Sequence, residues 1–196
     1  MKRWMVLGLL VCACGSDNGG GSSGPGSITG TVGGQPLNVK DAVFVLENNE
    51  VLVLVVDREN ICSVLSGTTL PGTTTAMFIT MANFSPPASV NPHVTGDYAF
   101  FDLGGGTLPG TAGRYWFGGF ESVDASCMAT TTTFATGGTV TVTQVGNNSG
   151  TNFKANLTNL NFGTGTLNGS IQATYCAALA TTPCGQLVAR PPGPAE

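Results

Sequence analysis

Residues 139–175 read TVTVTQVGNNSGTNFKANLTNLNFGTGTLNGSIQATY, and apolar side chains alternate with polar ones in three runs of this stretch. The alternating apolar positions are Val140 and Val142, then Phe153, Ala155 and Leu157, and finally Leu167, Ile171, Ala173 and Tyr175. A period of two is typical of β-strands that bury one face. Because turns rich in Gly and Asn separate the runs, the stretch predicts an antiparallel three-strand meander at the C-terminal end of the domain, with one face in water.

The composition of the whole chain favours the same secondary structure. Its 196 residues include 29 Gly, and only 9% are charged, whereas about 25% are charged in an average soluble domain. The abundant Thr, Val and Phe favour strands, and Gly, Asn and Pro favour turns. A hydrophobic fraction of 41% is too high for a disordered chain. We therefore predict a single all-β domain, built as an antiparallel β-sandwich or a flattened barrel.

The first half of this domain contains a predicted two-residue hairpin at Asn48-Asn49, because Asn tolerates the left-handed backbone that such turns require. The following run, Val51–Val56, is apolar at every position. This pattern predicts a central strand with a second layer of structure over its other face. Further strands are predicted at Ile28–Val32, Leu37–Glu47, Ala76–Ala82, Tyr98–Asp102, Arg114–Glu121 and Met128–Phe134, and one helical turn at residues 59–66.

The N-terminal residues have the pattern of a secretory signal. Two basic residues precede the apolar run Trp4–Val11, and small and polar residues follow it. The run is about half as long as the roughly 20 residues that span a bilayer. A cleaved signal is therefore favoured over a transmembrane anchor.

Val11-Cys12-Ala13-Cys14 resembles the lipobox of bacterial lipoproteins. The resemblance implies that residues 1–13 are removed, that the Cys14 thiol carries a diacylglycerol and that its new amine is acylated. Such an anchor is stable, because several acyl chains hold a protein on a membrane far better than one. The alternative is an ordinary signal peptide that is cleaved at the same bond and leaves Cys14 unmodified.

Beyond the signal, the chain divides into three predicted parts. Residues 14–27 form a Gly/Ser-rich tether, since nothing after Cys14 in this segment is apolar enough to bury. Residues 28–190 form the single β domain, and residues 191–196 form a Pro-rich, disordered tail. By resemblance to lipoprotein sorting in Gram-negative bacteria, the absence of Asp directly after Cys14 favours the outer membrane within the cell envelope.

Charge restricts the partners of the mature chain. Removal of residues 1–13 leaves five basic and eleven acidic side chains, a net charge of −6. No basic stripe remains that would bind nucleic acid or an anionic membrane surface. We therefore expect no nucleic-acid partner, and membrane contact only through the N-terminal lipid. The pattern does not specify an oligomeric state.

Four cysteines remain in the mature chain, at positions 62, 127, 176 and 184. An even number in an exported protein predicts two disulfides, with three possible connectivities. The short separation of Cys176 and Cys184 favours a local bond between them, which leaves Cys62 to pair with Cys127. The spacing does not match that of metal-binding cysteines, so we expect no metal and no cofactor.

Catalytic motifs are sparse, and we expect that the protein is not an enzyme. The only histidine, His93, lies in a proline-flanked loop, and neither a GxSxG motif nor a phosphate-binding glycine loop occurs within the predicted β domain, residues 28–190. Asp102 shares its parity with Tyr98 and Phe100, which predicts that it points inward. A weak hydrolase that uses Asp102 or Glu121 together with His93 remains the catalytic alternative.

Seven aromatic residues cluster between positions 98 and 120, and they include the candidate ligand contacts Tyr115 and Trp116, beside Asp102. A solvent-facing Trp116 could stack on a sugar ring, but core packing is favoured, because aromatic side chains dominate the cores of such domains. We therefore predict a lipid-anchored cell-envelope protein that acts as a binding or structural module. A lipocalin-like carrier of a small apolar ligand and a carbohydrate-binding module are the alternatives.

The domain also resembles a group of uncharacterised bacterial lipoproteins. The resemblance rests on Ser27–Gly34 (SITGTVGG), on Lys40-Asp41-Ala42, and on GTVTVT at 138–143 followed by LNGSI at 167–171, shortly before a cysteine. It implies an envelope location and a β-rich fold. Because that group has no assigned activity, the resemblance implies no chemistry.

Overall fold

The computed structural model describes residues 24–67, 69–86, 89–102 and 110–181. The predicted signal and most of the tether, with the lipidation site Cys14, lie outside these residues, as do Cys184 and the C-terminal tail. The elements are β1 (Gly26–Val32), β2 (Gln35–Pro36), β3 (Asp41–Glu47), β4 (Glu50–Val56), α1 (Ile61–Leu65), β5 (Thr74–Ser85), β6 (Ser89–Asn91), β7 (Gly96–Phe100), β8 (Gly113–Val123), β9 (Ala129–Phe134), β10 (Gly137–Gln144), β11 (Phe153–Asn161), β12 (Thr166–Tyr175) and α2 (Ala178–Thr181).

Eight of these strands close into a barrel. Their order around the ring is β11-β10-β7-β8-β5-β4-β3-β12, and the β11–β12 pairing completes it. The strands β1, β2, β6 and β9 extend the sheet outside this ring. The prediction of an all-β domain is confirmed, and of the two architectures the structure is a barrel rather than a sandwich.

The barrel is mixed, so the expectation of a purely antiparallel sheet is wrong. β12 pairs in parallel with β3, and β7 pairs in parallel with β8, each over two residue pairs. Hairpins between neighbouring strands are antiparallel by construction. The β12–β3 pair instead joins strands that are distant in the chain, and the β7–β8 pair joins consecutive strands through a connection longer than a hairpin turn, so no local pattern specifies their relative direction.

Local predictions agree closely with the structure. β10, β11 and β12 form the predicted antiparallel meander. Asn48 and Asn49 have φ angles of 51° and 65°, as the two-residue turn between β3 and β4 requires. Phe153, Ala155 and Leu157 of β11 are buried inside the barrel, whereas Asn156 between them is exposed.

The barrel interior is packed with large apolar side chains. An eight-stranded barrel is just wide enough for its inward side chains to fill. Those with the largest volumes include Phe44, Met77, Ile79, Met81, Tyr98, Trp116, Phe153, Leu160 and Leu167, each no more than 1% exposed.

A second core covers the outer face of β3, β4 and β5, as the apolar run Val51–Val56 predicts. Leu54 and Val56 pack there against Ile61 and Leu65 of α1, together with the region around α2. Asp41 positions α1, because its Oδ2 accepts a hydrogen bond of 2.8 Å from the Ile61 backbone N–H. Among the described residues, no helix is long and apolar enough to span a bilayer.

The disulfide pattern differs from the predicted one. Cys62 bonds to Cys176 across a sequence separation of 114 residues, so the predicted Cys62–Cys127 bond and the local Cys176–Cys184 bond are both wrong. The reason is tertiary: α1 packs against α2 on the outside of the barrel, which brings the two cysteines together. Cys127 is also disulfide-bonded, to a partner outside the described residues.

Candidate functional site

A cleft of about 420 Å³ opens on the outer face of the barrel where β7 lies between β8 and β10. Its lining residues are Asp97, Ala99, Gly113, Arg114, Tyr115 and Thr139. Tyr115 is paired across the strands with Ala99, and Ala99 with Thr139. These three side chains therefore lie in one row on the same face of the sheet.

Tyr115 is held at the edge of this cleft by contacts on two sides. Its hydroxyl lies 2.9 Å from Thr111 Oγ1 and donates to the Thr111 carbonyl at 3.2 Å. Its ring meets Phe101 edge-on, with the centroids 5.7 Å apart. The ring also lies over Gly113, where a Cβ atom would come within 3.0 Å of it. Glycine at position 113 therefore makes room for the aromatic ring.

Arg114 supplies a fixed positive charge beside the ring. Its Nη1 donates a hydrogen bond of 2.7 Å to the Thr95 carbonyl. The guanidinium packs against Gly96, where a Cβ would collide with it, and its carbon lies 5.9 Å from the centre of the Tyr98 ring. Arg114 also lines the cleft, and the acceptor of its hydrogen bond is a neutral carbonyl.

Asp97 supplies the opposite charge. The Thr141 hydroxyl donates to its Oδ1 at 2.7 Å, which orients the exposed carboxylate on β7. The cleft therefore combines a hydrogen-bond acceptor, a cationic donor, a hydroxyl and an aromatic face. Groups of these types can hydrogen-bond to a polar ligand and contact it with one ring face.

His93 and Tyr98 lie close to this cleft, because the guanidinium of Arg114 packs over the Tyr98 ring. Their rings stack, with centroids 5.6 Å apart and an angle of 11°. The Tyr98 hydroxyl donates to the Val94 carbonyl at 3.0 Å. Both imidazole nitrogens of His93 are buried without a hydrogen bond, although main-chain groups of Asn49 and Met81 face them. A loop histidine is usually exposed, so this burial distinguishes His93 from the surface residue that its sequence context suggests.

Burial lowers the pKa of His93, and the nearby main chain of Asn49 and Met81 only partly opposes the effect. As the pH falls below about 6.5, the unfolded chain binds a proton that the folded chain resists, so stability should decrease with the pH. His93→Phe keeps a ring on Tyr98 but cannot titrate. We expect the melting temperature of the wild type to fall more than that of His93→Phe between pH 7.5 and 5.5. Equal slopes in this range would show that His93 does not titrate there.

The sequence-predicted site residues occupy different environments. Trp116 lies inside the barrel, where Nε1 donates to the Gly138 carbonyl at 3.2 Å, so core packing describes it and stacking on a sugar does not. Tyr115 is the one that reaches the cleft. Asp102 is exposed rather than inward, because β7 ends at Phe100 and the alternation ends with it.

Glu121, one of the two carboxylates of the hydrolase alternative, lies far from His93. Glu121 is buried and accepts a hydrogen bond of 3.2 Å from Thr132, and burial raises its pKa. On the paired strands β5 and β8, Glu121 lies opposite Ala76, and Trp116 lies opposite Met81. His93 is close to Met81 and therefore to the Trp116 end of β8. Five residues of strand place Glu121 about 17 Å from this end of β8.

Three polar residues of the cleft are absent from the sequence prediction: Asp97, Arg114 and Thr139. Gly96 precedes Asp97, and Gly113 precedes Arg114. A glycine followed by a charged residue thus begins each of two strands that are rich in aromatic residues. This pattern could have indicated the site, since each glycine leaves space for a large neighbouring side chain. The signal is weak without the register that brings the two strands together.

Within the described ranges, no cluster of three His, Cys, Asp or Glu side chains is arranged to hold a metal ion. Comparison with known proteins finds no matching family, no similar curated protein and no similar solved structure, so the interpretation of this cleft rests on its geometry.

Proposed function

We propose that this chain is a lipid-anchored cell-envelope protein whose barrel is a solid scaffold for a ligand-binding cleft on its outer face. The observation that carries the proposal is the cleft at Tyr115, where Asp97, Arg114 and Thr139 converge beside an aromatic ring. Convergent polar groups beside an aromatic face are typical of small-ligand sites.

The local backbone supports a binding role for Tyr115 and Arg114. Gly113 and Gly96 leave the space that these two side chains occupy, and hydrogen bonds to Thr111 and Thr95 hold their polar ends. Side chains held in this way lose little conformational freedom when a ligand binds. The cleft is therefore preorganised.

Packing of the interior favours this scaffold over a lipocalin-like carrier. A carrier needs an unfilled apolar cavity inside the barrel. In the described part of the chain, the inward side chains of Met77, Ile79, Met81, Tyr98 and Trp116 are at most 1% exposed, which leaves no water-sized space beside them. Binding on the outer face requires no such cavity.

Tyr115→Ala should abolish binding to the cleft while the fold is retained. We expect at least one member of a panel of saccharides, amino acids and nucleotides to raise the melting temperature of the wild type and not that of the variant. Gly113→Ala should have the same effect, because its Cβ displaces the ring. Phe134→Ala, which removes an aromatic ring that is 60% exposed on β9, is the matched control. A wild type that responds to no member of the panel contradicts the proposal.

The anchor is tested separately in bacterial cells. Cys14→Ala should release the protein from the membrane fraction, because the thiol that would carry the lipid is then missing. Fractionation followed by immunoblotting measures the distribution. If the variant stays in the membrane fraction as the wild type does, the lipid anchor is wrong.

A further inference from the structure

A line of polar side chains extends from the cleft across four further strands. Asp97 of β7 pairs with Thr141 of β10, Thr141 with Asn156 of β11, Asn156 with Ser170 of β12, and Ser170 with Ser27 of β1. Directly paired residues project from the same face of a sheet. At about 4.8 Å per strand, four steps make a line about 19 Å long. We call these five residues the polar row.

The outer end of the polar row has hydrogen-bonding groups that the protein does not use. Asn156, Ser170 and Ser27 are exposed, and their side chains form no hydrogen bond with any other part of the described chain. Hydroxyl and amide groups both donate and accept. The row therefore offers a series of adaptable partners to a molecule lying on the sheet.

The surface around the polar row has very little charge. The other outward positions on β10, β11, β12 and β1 carry hydroxyl or amide side chains apart from Lys154; they include Thr139, Thr143, Thr158, Thr166, Asn168, Gln172, Thr174, Thr29 and Thr31. Strands favour Thr for reasons of packing alone. That preference does not explain why Asn, Gln and Ser are also present and why charged residues are so few.

We infer that the ligand of the cleft is a neutral oligosaccharide, with one sugar against Tyr115 and the following sugars along the polar row. The inference rests on the proposed function, since it names the ligand class of the same cleft. Asp97 accepts and Arg114 donates, so neighbouring sugar hydroxyls can bond to both. The aromatic ring covers the apolar face of a sugar.

Other ligand classes fit this surface less well. An anionic polymer would meet two cations, Arg114 and Lys154, together with the carboxylate of Asp97, on a mature chain with a net charge of −6. An apolar ligand would find little to contact, because the exposed large apolar side chains Val94, Met128 and Phe134 do not belong to the polar row. Charge complementarity therefore selects a neutral, hydroxyl-rich chain.

The inference is tested by the dependence of affinity on chain length. Isothermal titration calorimetry would use the full chain, purified in detergent, with glucose, maltohexaose, cellohexaose and a galacturonate hexamer. We expect one of the neutral hexasaccharides to bind about tenfold more tightly than glucose, since each further hydrogen bond adds a modest increment. The double variant Asn156→Ala with Ser170→Ala should reduce the affinity for this hexasaccharide to the affinity for glucose.

Controls separate this inference from the proposed function. The matched variant, Asn38→Ala with Ser63→Ala, changes an exposed Asn and an exposed Ser away from the polar row and should leave the chain-length effect unchanged. If the hexasaccharides bind no better than glucose, the extension along the row is wrong while the cleft remains. If the galacturonate hexamer binds most tightly, or if only a non-saccharide binds in a Tyr115-dependent way, the ligand class is wrong. If no ligand of any class binds, the proposed function fails as well.

Discussion

Replacement of both Cys62 and Cys176 by alanine should lower the free energy of unfolding by close to 5 kcal/mol. The bond closes a loop with a sequence separation of 114 residues, and the chain-entropy estimate for a loop of about 100 residues is about 4.7 kcal/mol. Because a domain of this size is stable by only about 5–15 kcal/mol, the variant should be close to unfolding at 37 °C. Urea denaturation followed by circular dichroism measures the change.

Loss of the Cys62–Cys176 bond should also have a local effect on α1. Cys176 follows β12 and Cys62 lies in α1, so the bond fastens α1 to the barrel beside β3. We expect hydrogen exchange to increase first in α1 and α2. Ser63→Ala on the exposed side of α1 is the control, and it should change stability by less than about 0.5 kcal/mol. A double alanine variant as stable as the wild type would show that the barrel and outer core hold α1 without the bond.

Trp116→Ala should destabilise the domain by about 3–5 kcal/mol, the range observed when a large aromatic side chain is removed from a core. The indole is 1% exposed, contacts Phe100 edge-on at 5.4 Å between centroids, and bonds to the Gly138 carbonyl. Its removal leaves a cavity inside the barrel and an unpaired carbonyl. The shift in the urea midpoint measures the loss.

Tyr115→Ala is the matched control for Trp116, because the two residues are adjacent on β8 but face opposite sides of the sheet. Tyr115 is half-buried at the cleft, so its truncation should cost about 1 kcal/mol or less. The pair should therefore separate cleanly: Trp116→Ala affects folding, and Tyr115→Ala affects binding. Equal losses of stability would show that Tyr115 is part of the core and would weaken its assignment to the cleft.

Local patterns predicted the strands well, because each depends on residues that are close in sequence. The alternation in 139–175 determines which side chains of β10, β11 and β12 are buried. The double Asn at 48–49 determines one turn, and the apolar run Val51–Val56 correctly requires an outer layer. The physical signal in the strands is the two-residue repeat of the backbone, and in the turn it is the tolerance of Asn for a positive φ angle.

The cleft was only partly predictable. Tyr115 and Trp116 were both candidate ligand contacts. Adjacent residues of a strand face opposite sides of the sheet, but the sequence of an isolated strand does not say which side points inward. Asp97 and Arg114 are separated by 17 positions, and they meet only because β7 pairs in parallel with β8 over two residues. No periodic pattern encodes so short a pairing.

By itself, the sequence determined an all-β domain with uncharged polar faces, since alternation and composition act through local backbone preferences. Closure of the sheet into a barrel, the partner of Cys62 and the position of the cleft were decided only by tertiary structure. Each depends on contacts between segments far apart in the chain, whose direction and register follow from how the whole core packs. Residues 139–175 thus specify a meander, and it becomes part of a barrel only when β10 pairs with β7 and β12 pairs with β3.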